Sequence, residues 1–156
     1  MNTSLTVTGS VRPSPRGFEL SLGEPYRAGL LGLCGFSHAI VLWLADGLDQ
    51  NGPDISMILP APYTASDQDT GVFASRSPAR PNRIGISIVE LAEVNESTGT
   101  LIVPFIDAVP GTPLLDIKPY FPASDRVRSA RIPDHFRHWP QWYEDASTFN
   151  WTAEFR

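Results

Sequence analysis

The chain has 156 residues, 42% of them hydrophobic and 19% charged, which is enough apolar matter for one buried core and too much for a disordered segment. Its net charge of −5 excludes a broadly basic surface of the kind that holds nucleic acid by counterion release, so such a partner must meet a local patch. The single cysteine, Cys34, excludes an intrachain disulfide or a cysteine-built metal cluster; between Leu33 and Gly35 it is expected to be a small buried hydrophobe.

The 15 prolines and 12 glycines predict many turns and few long helices, within a single domain spanning 1–156. No apolar run approaches the ~18 residues of a membrane span, and the N-terminus has neither a basic start nor an apolar core. A cytoplasmic location without membrane contact is the expectation.

Residues 4–11 alternate apolar and polar, which predicts a half-buried strand broken by Arg12-Pro-Ser-Pro-Arg-Gly17. Phe18, Leu20 and Leu22 alternate in a second strand, Gly23-Glu-Pro25 is a turn, and Tyr26–Leu33 reads as a short helix or an irregular turn. Phe36–Ala45 is the most apolar run and predicts a central strand buried on both faces. Its His38 is then an interior histidine, with a structural hydrogen bond or a catalytic part as the two readings. Asp46–Asp54 is expected as a loop, Ile55–Leu59 as a brief strand and Pro60–Thr70 as another loop. In Ile84–Val94 the isoleucines 84, 86 and 88 share one face, and Gly85 and Ser87 the other, where small residues admit a close neighbour. Glu96-Ser-Thr-Gly99 is a turn and Thr100–Asp107 a returning strand, so 84–107 reads as a hairpin. The stretch from Asp134 to Asp145 predicts one or two short helical turns limited by Pro140, with its aromatics packing. The sum is an all-β chain: an antiparallel barrel of six or seven strands with a few short helices and a short C-terminal helical segment.

Two proline-stiffened segments carry the candidate chemistry. Arg76, Arg80 and Arg83 lie on a loop bounded by Pro78 and Pro81; three guanidinium groups on restricted backbone suit a carboxylate or phosphate, with a solvated basic loop as the other reading. The second segment gathers Asp107, Thr112, Asp116, Lys118 and Tyr120, where Lys118 is the one lysine among eleven arginines. Two carboxylates and a lysine can supply a base or neutralise one another. No metal site is expected.

Gly35-Phe-Ser-His38, the run from Gly71 to Gly85 (Gly-Val-Phe-Ala-Ser-Arg-Ser-Pro-Ala-Arg-Pro-Asn-Arg-Ile-Gly) and Gly111-Thr-Pro-Leu-Leu-Asp-Ile-Lys-Pro-Tyr120 resemble the TsaA-like family, also called TrmO, over about Gly35 to Asp125. The resemblance implies a β-barrel methyltransferase that uses S-adenosyl-L-methionine without a Rossmann fold. It implies a homodimer with the cofactor near the subunit interface, and N6-threonylcarbamoyladenosine beside the tRNA anticodon as acceptor. By similarity, Arg76, Ile86 and the residues Phe105, Ile106 and Asp107 contact the cofactor. Asp116 or Lys118 is the candidate for assisting proton removal from the acceptor nitrogen. The usual upstream Pro-Arg-Gln word is replaced by Arg12-Pro-Ser-Pro-Arg-Gly17, a usual histidine by Asp46-Gly47, a usual proline by Arg83 and a usual Asp by Pro110. Those departures leave two alternatives: a small-molecule methyl acceptor, or a cofactor-binding or interaction protein without catalysis.

Overall fold

The computed structural model describes residues 4–45 and 56–156, so the loop expected at 46–54 lies outside the described residues. In chain order the strands are β1 (Gly9–Ser14), β2 (Gly17–Leu22), β3 (His38–Leu44), β4 (Ile58–Leu59), β5 (Thr70–Gly71), β6 (Ile84–Glu90), β7 (Glu93–Asn95), β8 (Thr100–Val103) and β9 (Pro113–Pro119), followed by the one-turn helix α1 (Pro122–Asp125). Two compact units result, one from the described parts of Met1–Pro53 with Pro81–Arg126, the other from those of Asp54–Arg80 with Val127–Arg156.

The first unit is a seven-stranded antiparallel sheet in the order β6-β3-β9-β1-β2-β8-β7. No ladder joins β6 to β7, so the closed barrel expected from the sequence gives way to an open sheet. The two edges are nevertheless successive parts of one chain segment. Leu91 N–H donates to Ser37 O beside β3, and the next residue, Ala92, donates to Ile102 O on β8. Neighbouring amides of a strand point to opposite sides, and here each side has a different partner. The expected hairpin is accordingly half right: β7 and β8 form it through the turn at 96–99, while β6 pairs with β3.

The strand expected over 4–11 begins later, at Gly9, and runs through Pro13 to Ser14. Proline is tolerated there for a geometric reason. Val11 N–H donates to Thr112 O, away from β2, so Pro13, two residues on, aims its missing N–H at the side where pairing with β9 has ended. Pro15 and Arg16 make the hairpin turn, and Arg16 is ion-paired with Glu93.

Val11, Leu20, Val41, Val89, Leu101, Val103 and Leu114 form the buried core, with Leu30 and Leu33 supplied by the 3-10 turns after β2. Leu33 turns inward and leaves Cys34 exposed on the next position, contrary to the buried cysteine expected. β3 is also less enclosed than expected. Ala39 and Val41 are buried, whereas Ile40, Leu42 and Leu44 on the other face are half-buried. Between β3 and β6 the small residues explain themselves. A Cβ on Gly85 would overlap the Trp43 ring, and the Trp43 indole N–H donates to Ser87 Oγ at 3.0 Å. The close neighbour admitted by Gly85 and Ser87 is the tryptophan.

The second unit is held by aromatic rings and a short β4–β5 ladder. Tyr63 meets Phe136, Trp139 and Phe155 at centroid distances of 4.7, 6.0 and 5.8 Å, and Trp139 meets Trp151 at 5.2 Å, so of the aromatics expected to pack Phe136 and Trp139 do so, while Trp142 and Tyr143 are exposed. The expected helical content is a series of 3-10 turns, Asp134–Phe136, Tyr143–Thr148 and Trp151–Ala153. Burial in this cluster pushes the Tyr63 phenol up. Glu154 accepts hydrogen bonds from Trp139 Nε1 and His138 Nε2, each at 2.8 Å, and these, Trp139 first, hold its carboxyl below the ordinary value of 4.5 against the opposing effect of desolvation.

Because the folded-state value is depressed, the stabilisation from Glu154 is complete above the ordinary glutamate range and is lost as pH falls through the lowered value. We expect thermal stability to fall more steeply in the wild-type protein than in Glu154→Gln as the pH drops below the ordinary glutamate value of 4.5, because in the variant that group no longer titrates. Equal acid limbs in the two proteins, read by tryptophan fluorescence, would contradict the assignment.

Candidate functional site

In the second unit, the loop from Val72 to Arg80 is closed on itself by one side chain. Arg80 donates from Nε to Ser77 O at 2.8 Å and from Nη2 to Val72 O at 2.8 Å and Ser75 O at 2.6 Å. A planar guanidinium with five donors can tie three carbonyls at once, which a lysine cannot do in fixed geometry. Arg76 sits inside the loop so fixed; it is exposed, and among the described residues nothing partners its guanidinium. The three arginines of the sequence pattern therefore divide. Arg80 holds the loop, Arg76 is presented by it, and Arg83, in the first unit, is half-buried with interactions of its own. Nothing in the sequence separates these parts, because carbonyl acceptors carry no residue signature.

The first unit brings three other expected residues onto one face. Cross-strand register places Ile86 opposite Leu42 and Leu42 opposite Asp116; the next row is Ile88, Ile40 and Lys118. Residues directly opposite share a face, so Ile86 and Asp116 stand two strands apart, roughly 10 Å. Asp116 and Lys118, two apart on β9, are joined by an ion pair of 2.7 Å, and Asp116 Oδ1 also accepts from Ile117 N–H at 2.9 Å. The pair is about half exposed, which makes it a weak source of stability and leaves it within reach of a ligand. Beside it is an open groove of about 500 Å³, lined by Thr6, Thr8, Tyr26, Leu42, Ile84 and Asp116 among others. The sequence did not single out Tyr26; it lies in the stretch left undecided between helix and turn.

Of the remaining expected residues, Phe105 and Asp107 are exposed on the loop between β8 and β9, while Ile106 is 2% exposed and packs in the core. Ile106 thus anchors the loop, and its side chain faces away from solvent. The Gly-Thr-Pro word has a structural part. Gly111, at φ +95°, makes a turn that most residues would resist, and its N–H donates to Val11 O while Thr112 O accepts from Val11 N–H. His38 is half-buried at the start of β3, with its Nδ1 2.9 Å from Ser37 Oγ. The Arg12–Gly17 word lies in β1, the hairpin turn and the start of β2. Among the described residues no cluster of three or more His, Cys, Asp or Glu is placed to hold a metal ion, and no helix is long and apolar enough to cross a membrane.

Comparison with known proteins follows the same outline. The family model described as the tRNA-methyltransferase O N-terminal domain matches residues 10–126. A probable S-adenosyl-L-methionine-binding protein of Halobacterium salinarum is 37% identical over 68% of this chain and 77% of its own length. The tRNA (adenine(37)-N6)-methyltransferase of Escherichia coli is 37% identical over 72% of this chain, which spans 48% of that enzyme. A crystal structure of TrmO superposes with a TM-score of 0.67 at 32% identity, covering 85% of this chain and 64% of the other. With the family model matched over both proline-stiffened segments and all of the sheet but Gly9, the chain belongs to the tRNA-methyltransferase O N-terminal domain family.

Proposed function

We propose that the chain transfers a methyl group from S-adenosyl-L-methionine to the adenine N6 of N6-threonylcarbamoyladenosine in tRNA, in the cytoplasm and as a homodimer. The observation that carries the reading is Arg76, an exposed guanidinium on a loop that Arg80 fixes, within a family whose relatives bear methyltransferase and S-adenosyl-L-methionine-binding names. The residue types fit such a cofactor in kind: a guanidinium for its amino-acid carboxylate, the half-exposed Ile86 as apolar wall, and Asp107 as acceptor for its positive groups.

When bound, the cofactor supplies an electrophilic methyl group. The chain's part is to hold and orient, since an in-line displacement gains most of its acceleration from positioning. The N6 proton must leave as the nitrogen bonds to carbon, and the Asp116 carboxylate beside the groove is the candidate acceptor. Its oxygens keep lone pairs beyond those taken by Lys118 and Ile117 N–H. Lys118 then holds the carboxylate in place.

The acidic chain meets an RNA through a local patch. Arg128 and Arg131 are exposed, and among the described residues neither has a partner. A small-molecule acceptor is the second reading, favoured by the net charge and by the groove beside Asp116. The homodimer is supported by the apolar row of Ile84, Ile86 and Ile88 on β6, which are 36, 48 and 37% exposed and lie across from Leu44, Leu42 and Ile40. An apolar strip on a strand edge is an ordinary feature of an interface between copies.

Titration calorimetry is expected to show S-adenosyl-L-methionine binding, weakened at least ~10-fold in Arg76→Ala by loss of a charge-assisted contact. Absence of binding to the wild-type protein would overturn the reading. For the acceptor, a strain lacking the gene should lose methylated threonylcarbamoyladenosine, and Arg128→Glu with Arg131→Glu should lower the salt slope of tRNA binding by roughly 2; an unchanged nucleoside profile would favour the small molecule. Sedimentation at micromolar concentration should give a dimer, and Ile86→Glu a folded monomer; a wild-type monomer would remove the shared site.

A further inference from the structure

The family match ends at residue 126, yet the segment after it holds a loop that lies inside the match. Tyr63 pairs with Phe155 in an isolated antiparallel bridge, Thr64 N–H donates to Glu154 O at 3.0 Å, and Arg156 N–H donates to Pro62 O at 3.0 Å. The Arg156 side chain forks over the same loop, with Nη2 2.7 Å from Asp67 Oδ1 and 3.3 Å from Thr64 O. Glu154 in turn ties this end to the aromatic cluster through Trp139 and His138.

A second observation marks the same place. Ala61 adopts φ +32°, a conformation that residues with a Cβ rarely hold unless both flanking peptide groups are constrained. Both are constrained here. Its N–H donates to Asp69 Oδ1 at 3.3 Å, and its carbonyl lies 3.5 Å from Arg156 Nη1.

From this clamped tip the restraint continues along bonded backbone. Ile58 and Leu59 pair with Gly71 and Thr70, Val72 N–H donates to Met57 O at 3.0 Å, and Val72 O is one of the carbonyls that Arg80 ties. Arg76 lies within that last loop. A ladder of two residues per strand is marginal by itself, so the loop needs restraint at its far end. Every link belongs to the second unit.

We infer that Arg156 and Glu154 are positioning residues for Arg76, acting through the clamped loop 60–71 on the anion-gripping loop 72–80. The inference rests on the reading that Arg76 grips the carboxylate of S-adenosyl-L-methionine, and it adds a requirement which the family-matched region does not itself contain. Arg156 acts by fixing the backbone that aims Arg76.

The test uses the full chain with Arg156→Ala, Arg156→Lys, Arg76→Ala and the double variant Arg76→Ala with Arg156→Ala. Hydrogen exchange without ligand should quicken in peptides covering 70–80 in Arg156→Ala, less so in Arg156→Lys, which keeps the partner for Asp67 but not the fork. Peptides covering 84–90 and 113–119 should be unchanged. Calorimetry with S-adenosyl-L-methionine should show Arg156→Ala weakened roughly tenfold, as small misplacements of a gripping group do. In the Arg76→Ala background, Arg156→Ala should add nothing further, because the two changes act through one contact. Additive losses, or exchange at 70–80 unaltered in Arg156→Ala, would overturn the inference. Should the wild-type protein bind no S-adenosyl-L-methionine, the cofactor reading fails, and the exchange at 70–80 decides alone whether Arg156 fixes the Arg76 loop.

Discussion

The handover at Leu91 and Ala92 is the constraint on which the sheet depends. One amide goes to Ser37 beside β3 and the next to Ile102 on β8, so a single segment serves as both edges. A one-residue slip in a strand turns every side chain to the other face. Fixing the register at 91 and 92 therefore fixes which of Ile84, Gly85, Ile86, Ser87 and Ile88 look outward. The glycine and serine turn in under Trp43, and the isoleucines turn out toward the row that ends at Asp116 and Lys118. The candidate face of the first unit is a consequence of that register.

The sequence made the alternation in β6 plain, since side-chain period two is a property of residue type and order. It also located Asp116, Lys118 and Ile86, though not their shared face, which requires knowing that β3 lies between β6 and β9. Strand neighbours are set by long-range pairing that leaves no local trace. The same limit explains the barrel expectation. Strand count and turn spacing argue for a small closed sheet, but closure depends on whether a ladder joins the edges, and here one bent segment stands in its place.

Local chemistry misled in two places for one reason. Pro13 reads as a strand breaker, yet costs no ladder bond because its nitrogen faces the side where pairing has stopped. The three arginines read as one anion-binding set, yet Arg80 is turned back onto Val72, Ser75 and Ser77. In both cases the residue type was read correctly and the direction of its polar atoms was not available. The family words single out Arg76 from Arg80 and Arg83, a separation that spacing alone does not make.

The division between Arg76 and Arg80 bears on how a chain with so little regular helix can position a small, charged ligand. Loops are held still either by packing or by hydrogen bonds to their carbonyls. The loop 72–80 buries little besides Val72, so packing is a minor restraint, and the carbonyl ties of Arg80 are the main one. A loop held in this way transmits restraint from whatever holds its ends. One end continues into β6, and the other returns through the β4–β5 ladder to the clamp at Ala61, Pro62 and Thr64. Since positioning is the larger share of catalysis in an in-line displacement, residues distant from any reacting atom become candidates for control of rate and affinity, and in this chain those residues lie at 154–156.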